Sequence, residues 1–102
     1  MSVEPKKLFQ EQLGTGTVSL YSTPTDTKAQ ITEIWVANPT AEPITVTIKT
    51  HGDLEGNTIL DNVEVEENLN IDGSKIVLDE NEEIYAEGEN LVVTAYGIEE
   101  SV

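Results

Sequence analysis

Apolar and polar residues alternate along several short runs of the chain, with the two-residue period of a strand that buries one face. Residues 44–50 read Ile-Thr-Val-Thr-Ile-Lys-Thr and alternate without a break. Residues 16–22 and 62–66 alternate over shorter stretches. This period predicts half-buried β-strands, because successive side chains of a strand point to opposite faces.

Other runs are more apolar. Residues 31–36 predict a strand that could be covered on both faces, and residues 91–98 predict a long final strand. Residues 75–78 and 83–86 predict shorter strands, whereas residues 53–60 are ambiguous between a short strand and a loop. No window places apolar residues at helical spacing between capping residues, so we predict no helix.

Turn-forming residues separate these runs. The clusters are residues 22–26, 38–43, 51–53, 72–73, 79–82 and 87–90. Strands separated by turns every ~8–12 residues predict an all-β protein, a single antiparallel β-sandwich of about seven to nine short strands, jelly-roll-like or immunoglobulin-like. Its predicted core contains Ile31, Trp35, Ile44, Val46, Ile48, Val77, Leu78, Ile84 and Val93.

The first thirteen residues do not resemble sheet core. Pro5 precedes the apolar part of this segment and Gly14-Thr15-Gly16 follows it, so we predict that residues 1–13 form an N-terminal arm or edge strand and residues 14–102 form the sandwich domain. The candidate partner-interface residues are Lys6, Lys7, Leu8, Phe9 and Leu13. Two interpretations stay open: the apolar ones pack over the end of the sandwich, or the arm adds to a neighbouring subunit.

The composition agrees with a folded β-protein and adds a strong acidic excess. Val, Ile and Thr supply 31 of the 102 residues, which favours strands over disorder. The net charge of −15 divides into −1 for residues 1–50 and −14 for residues 51–102. This asymmetry fits a solvated acidic face and, compatibly, a near-neutral half that docks while the acidic half faces solvent. It also fits a protein that lives in high salt.

Several classes of partner are not expected. Nucleic-acid affinity comes largely from Lys and Arg, and the chain has 5 lysines and arginines together. No apolar run reaches the roughly 20 residues of a membrane helix, so no membrane partner is expected. No apolar segment follows Lys6-Lys7, so we expect no signal peptide.

The sequence offers no recognisable catalytic centre, so we predict that the chain is not an enzyme. His51 is the single histidine, and no serine has the context of a nucleophile. Asp79, Asn81 and Glu83 have the spacing that begins an EF-hand loop, but Ile84 stands where the loop needs glycine. We therefore predict no cofactor, while looser calcium binding by turn oxygens stays open.

The order of motifs resembles a class of small structural proteins of tailed bacterial and archaeal viruses. In that class an arm precedes a strand ending in Leu-Tyr-x-x-Pro, then come I-x-x-I-x-x-x-N, a Thr/Val-alternating strand, a V-L turn and a last strand ending in Gly-x-Glu. The matching residues are Leu20, Tyr21, Pro24, Ile31, Ile34, Asn38, residues 44–48, Val77, Leu78, Ile84, Gly97 and Glu99. The turn departs from the pattern, because residues 81–83 replace a glycine-aspartate step.

This resemblance implies a non-enzymatic component of a tailed virus particle, such as a capsid decoration protein or an accessory protein of the head, neck or tail. The implied location is the virion, after synthesis in the host cytoplasm. The expected partners are major capsid or tail proteins and copies of the chain itself, held by edge and arm contacts. The alternative is a small carbohydrate- or host-surface-binding module that uses Trp35, Tyr85 or Tyr96.

Overall fold

The computed structural model describes residues 6–51, 58–72 and 76–102. These residues form nine β-strands and no helix, in agreement with the predicted class. The strands are β1 (Lys6–Gln12), β2 (Val18–Ser22), β3 (Thr27–Ala37), β4 (Ile44–Thr50), β5 (Thr58–Val65), β6 (Asn68–Asp72), β7 (Val77–Leu78), β8 (Glu83–Glu87) and β9 (Val92–Ser101).

The strands pack as two antiparallel sheets, which confirms the predicted β-sandwich. Sheet A has the order β1-β9-β3-β6, with short β7 also paired to β3, and sheet B has the order β2-β8-β4-β5. The pairs β1–β9, β2–β8, β3–β6 and β4–β5 are nested in sequence. A long hairpin rolled into two sheets pairs its strands in this way, so the sandwich has jelly-roll topology.

The nested pairing mixes the two halves of the chain. In both sheets, a strand from residues 6–50 alternates with a strand from residues 58–101. The prediction that the near-neutral half and the acidic half form different sides of the molecule is therefore wrong. Charge segregated along the sequence is dispersed by a fold that places each early strand beside a late one.

The core lies between the sheets and consists of aliphatic side chains from both. Of the predicted core residues, Ile31, Val46, Ile48, Leu78, Ile84 and Val93 are buried and Ile44 is partly buried. The remaining core members are Phe9, Leu13, Leu20, Ala29, Ile34, Val36, Val65, Ala86, Leu91 and Ala95. Their removal from water supplies the main force that holds the sheets together.

Two core predictions are wrong. Trp35 is 46% exposed and Val77 is 43% exposed. The pairing of β3 with β9 shifts register between Ile31 and Glu33, so Ile34 points inward and Trp35 outward. In β7 only one of two adjacent residues can face the core, and that residue is Leu78.

Several sequence expectations fall at the borders of the described residues. The strand predicted at residues 62–66 belongs to β5, which begins at Thr58, so the last residues of the ambiguous segment 53–60 are strand. The strand predicted at 75–78 comprises Val77–Leu78. Lys75 and the predicted turn residues 52, 53 and 73 lie outside the described residues.

Two residues of the viral-type pattern have structural roles. The buried Asn38 side chain donates hydrogen bonds to the carbonyls of Glu42 (2.7 Å) and Val65 (2.8 Å) and accepts one from the Thr40 amide (2.9 Å). It therefore holds the β3–β4 connection against β5. Gly97 lies where β9 approaches β3, and a Cβ there would stand 2.4 Å from the Gln30 carbonyl oxygen.

Candidate assembly surfaces

Each sheet ends in two outer strands, and their edges are the first candidate surface. The outer strands are β1 and β6 in sheet A and β2 and β5 in sheet B. Strands β1 and β2 contact each other on one flank of the sandwich. Strands β5 and β6, which follow each other in the chain but belong to different sheets, form the other flank. An outer strand presents backbone N–H and C=O groups that can pair with another strand.

The structure divides the five predicted interface residues between the core and the surface. Lys6 and Lys7 are exposed and Leu8 is partly buried, whereas Phe9 and Leu13 belong to the core. The Phe9 ring stacks on the Tyr21 ring at a centroid distance of 6.2 Å. Of the two interpretations that the sequence left open, Phe9 and Leu13 follow the one in which the apolar residues pack on the sandwich, although the sequence did not place them in the core. Residues 1–5 of the predicted arm lie outside the described residues.

A polar cluster of Lys6, Tyr21 and Glu99 connects the start of β1 to β9 of sheet A and to β2 of sheet B. Glu99 forms an ion pair with Lys6 and accepts a hydrogen bond of 2.5 Å from the Tyr21 hydroxyl. Burial, reinforced by Glu99, raises the pKa of Tyr21 well above its ordinary value. Burial would also raise the pKa of Glu99, but the hydrogen bonds from Lys6 and Tyr21 outweigh it and the pKa lies below its usual value. The sequence pattern included Tyr21 and Glu99 but did not indicate that they meet.

The four outer strands differ in regularity. The pairing of β1 shifts between Lys7 and Phe9, and that of β2 shifts between Ser19 and Tyr21. The pairing of β5 shifts on both sides of Ile48. Strand β6 pairs with β3 in unbroken register from Asn68 to Asp72. Bulges discourage edge pairing, so β6 presents the most regular edge.

The outer faces of the two sheets are the second candidate surface. The outer face of sheet A carries Trp35, Tyr96 (39% exposed) and Val77. The outer face of sheet B carries Ser19, Thr45, Thr47, Lys49, Glu64, Glu83, Tyr85 and Glu87. The Tyr85 hydroxyl donates to Glu83 (2.7 Å), and the Ser19 hydroxyl donates to the other oxygen of the same carboxylate (2.7 Å). These bonds lower the pKa of Glu83.

The single histidine sits at the end of β4 with φ 69° and has a structural position. Its Nε2 lies 2.9 Å from the Val77 carbonyl oxygen, and its Nδ1 lies 2.8 Å from the Thr50 hydroxyl. Because a carbonyl only accepts hydrogen bonds, Nε2 carries a proton and donates to Val77. His51 thus links β4 of sheet B to β7 of sheet A.

The residues with EF-hand spacing do not converge. Glu83 accepts from Ser19 and Tyr85, while the Asp79 amide donates to Glu82 and closes the turn. Within residues 6–51, 58–72 and 76–102, no group of three or more His, Asp or Glu side chains is arranged to hold a metal ion. In the same ranges, no helix is long and apolar enough to cross a membrane.

Comparison with known proteins supports the fold. No family model and no curated protein matches the chain. A chain from a structure of Bacillus endospore appendages, described as a novel family of disulfide-linked pili, superposes with a TM-score of 0.55 at 12% identity over 99% of this chain and 89% of that one. A chain from the structure of infectious bursal disease virus Gx strain gives 0.32 at 17% identity, over 98% of this chain and 32% of that one. At this identity, the first likeness concerns the fold alone.

Proposed function

We propose that the chain is a non-enzymatic structural subunit that associates with copies of itself and with other structural proteins through the edges of its sheets. The observation that carries the proposal is that both flanks of the sandwich present outer strands, β1 and β2 on one flank and β5, β6 and the short β7 on the other. Contacts between two different flanks repeat from copy to copy and build rings or filaments.

The strand directions are compatible with such growth. Strand β1 is antiparallel to β9, β9 to β3, and β3 to β6, so β1 and β6 run in opposite directions. The same sequence of pairings sets β2 opposite to β5. When the β5–β6 flank of one copy meets the β1–β2 flank of the next, both sheets continue as antiparallel sheets.

The charges of the two flanks are complementary. Strand β1 begins with exposed Lys6, which is paired with Glu99, and exposed Lys7, and it carries one exposed acid, Glu11. The β5–β6 flank carries exposed Glu64, Glu66 and Glu67. Opposite charges favour contact between unlike flanks over contact between like ones. The similar chain from Bacillus belongs to disulfide-linked pili. This chain has no cysteine, so its own association would use non-covalent contacts.

Proline at consecutive residues of β1 tests the edge contact. Gln10 and Glu11 are both exposed, and their backbone N–H groups point to opposite sides of the strand, one towards β9 and one outward. Of Gln10→Pro and Glu11→Pro, we expect one to lower stability and the other to fold normally but not to assemble. Gln10→Ala and Glu11→Gln are the controls without a backbone effect.

Assembly is measured by light scattering and negative-stain electron microscopy over a range of salt concentrations. Salt screens the repulsion between copies of charge −15, so we expect assembly to increase with ionic strength. Normal assembly by the folded proline variant would contradict the edge contact. A wild-type protein that stays monomeric at every ionic strength would contradict self-association through edges.

The setting we propose is the particle of a tailed virus, which the motif resemblance supports. Its head, neck or tail would supply the other structural proteins. Mass spectrometry of gradient-purified particles from the source should then detect the chain at a constant ratio to the major capsid or tail protein. Its absence from particles would reject this setting without affecting the edge contact.

A further inference from the structure

The outer face of sheet A has an exposed apolar centre. Trp35 pairs with Thr94, and Tyr96 lies two residues further along β9, so the two aromatic residues are diagonal neighbours on one face. Val77 and the partly buried Ile98 flank Gln30 on the same face. Contiguous exposed apolar residues on a soluble domain indicate a contact surface.

Polar residues surround this centre in rows that cross the sheet. In the order β1, β9, β3, β6, the rows are Gln12-Val92-Ala37-Asn68, Gln10-Thr94-Trp35-Asn70 and Lys7-Tyr96-Glu33-Asp72. A further row pairs Glu100 of β9 with Lys28 of β3. Two lysines and four acidic residues lie on this face, because Asp79 forms an ion pair with Lys28 at 3.7 Å, and the balance is −2 on a chain of charge −15. The face therefore carries only a small part of the charge that makes copies repel each other.

A two-fold axis that is parallel to the strands and lies between β9 and β3 would place each row of one copy over the same row of a second copy, in the reverse order. The residues that then face each other are complementary. This rotation places β1 of one copy over β6 of the other, and β9 over β3. Lys7 then meets Asp72, Lys28 meets Glu100, and the Tyr96 hydroxyl meets Glu33. Gln10 meets Asn70 in the same way. Each charged group of these rows therefore faces an opposite charge or a hydrogen-bonding partner, apart from Asp79, which forms an ion pair with Lys28 of its own chain.

We propose that the outer face of sheet A binds the same face of a second copy, with Trp35 and Tyr96 at the centre and the Lys28–Glu100 pairs towards one end. Packed sheets keep their strands within about 30° of each other, which leaves residues near the axis opposite their partners. The four strands have 7, 10, 11 and 5 residues and cover about 500 Å² per copy. The total of about 1,000 Å² is the least that a specific interface buries.

This contact between the sheet A faces of two copies goes beyond the proposed edge contact and does not depend on it. It uses side chains on a sheet face, whereas the edge contact uses backbone groups of outer strands. A two-fold face contact closes at two copies, while edge contacts add copies without limit. Sedimentation therefore separates the two, because the first gives a discrete dimer and the second a broad distribution of masses.

Charge exchange at one pair is the decisive experiment. We expect sedimentation equilibrium of the wild type to show a dimer, and Lys28→Glu or Glu100→Lys alone to weaken it about tenfold, since the axis applies each change twice. An equal mixture of the two variants should restore the dimer. The Lys28→Glu copy has acidic residues at both positions of the pair, and in the mixture it faces the Glu100→Lys copy, which has lysines at both. Repulsion within a single chain cannot produce this rescue.

Lys49→Glu on the outer face of sheet B is the matched control. It changes the net charge as much as Lys28→Glu does but lies on the opposite face, so the dimer should persist. Circular dichroism of each variant shows that it is folded. Equal weakening by Lys49→Glu, no rescue in the mixture, or a wild type that is monomeric at every concentration would overturn the proposal.

The only tryptophan of the chain reports on the same face. Its emission should shift to the blue as the protein concentration rises, because the second copy removes Trp35 from water. Titration with oligosaccharides at fixed low protein concentration tests the other class of occupant. An emission that responds to sugar and not to protein concentration would overturn the proposal in favour of glycan binding.

Discussion

The outer faces of the two sheets cover the same core from opposite sides, yet they differ in chemistry. On sheet A, Trp35 and Tyr96 are exposed as diagonal neighbours, surrounded by amides and by charges of both signs. On sheet B, Tyr85 is bound to Glu83, and the face consists mainly of hydroxyl and charged groups. Inner faces are alike because both must exclude water, whereas an outer face is free to differ. This difference is the reason for proposing the outer face of sheet A, and not that of sheet B, as the contact surface.

The contrast between inward and outward positions is sharpest at two consecutive residues of β3. Ile34 is fully buried and Trp35 points outward. We expect Ile34→Ala to lower the free energy of unfolding by about 3 kcal/mol, because it leaves a cavity in the core. Trp35→Ala should cost about 1 kcal/mol or less in the dilute monomer. Urea unfolding followed by circular dichroism measures both, and equal losses would mean that Trp35 packs like a core residue.

A second substitution disturbs the sheet that carries the apolar face. Gly97→Ala would bring a Cβ to 2.4 Å from the Gln30 carbonyl and 2.9 Å from Leu8, so we expect a loss of about 2 kcal/mol. Gly14→Ala is the control, since nothing lies within 4 Å of its Cβ position. Thermal unfolding compares the two. A Gly97→Ala protein as stable as the control would show that β9 can move away from β3 at little cost.

The smallest expected effect concerns the cluster that joins the two sheets. The pKa of Glu99 is lower in the folded state than its ordinary value of 4.5, so the unfolded chain binds this proton more readily. Its stabilisation is therefore present above about pH 4.5 and is lost as the pH falls through the folded pKa. Glu99→Gln should cost less than about 1 kcal/mol at pH 7, because the pair is partly exposed, and the difference from wild type should shrink on acidification.

Glu89→Gln is the control for this pH dependence. It removes the same charge at an exposed residue outside the proposed contact, so it reports the general relief of repulsion on acidification. Unfolding curves at several pH values between about 7 and about 3 provide the comparison. A difference between Glu99→Gln and wild type that stays constant with pH would contradict the proposed role of the Glu99 carboxylate.

The alternation of apolar and polar residues predicted burial correctly where a strand is regular. Residues 44–48 alternate strictly, and their apolar residues are buried or partly buried as predicted. It failed at Trp35 because a register shift in β3 displaces the following residues by one position, and one residue reverses the face. For residues 1–13 the sequence left an arm and an edge strand open, and it did not place Phe9 and Leu13 in the core, because burial beside an edge strand depends on its neighbour, β9.

The candidate surfaces were harder to predict than the strands. The lysines of β1 were noted, but their complement on the β5–β6 flank lies far away in the sequence. The cluster of Lys6, Tyr21 and Glu99 also joins distant residues. Contacts between residues that are distant in the sequence leave no periodic pattern. A single sequence therefore shows which charged and polar side chains are present but not which of them are in contact.

The sequence by itself determined the class of the fold, the spacing of strands and turns, the acidic excess and the absence of cysteine, because these follow from local periodicity and composition. The tertiary structure alone decided that early and late strands alternate in both sheets, that Trp35 and Tyr96 share an exposed face, and that charges of both signs from distant strands lie together on this face. The physical reason is that the period of inward and outward side chains is a property of a single strand. Which strands become neighbours in a sheet depends on how the whole chain folds around the common core.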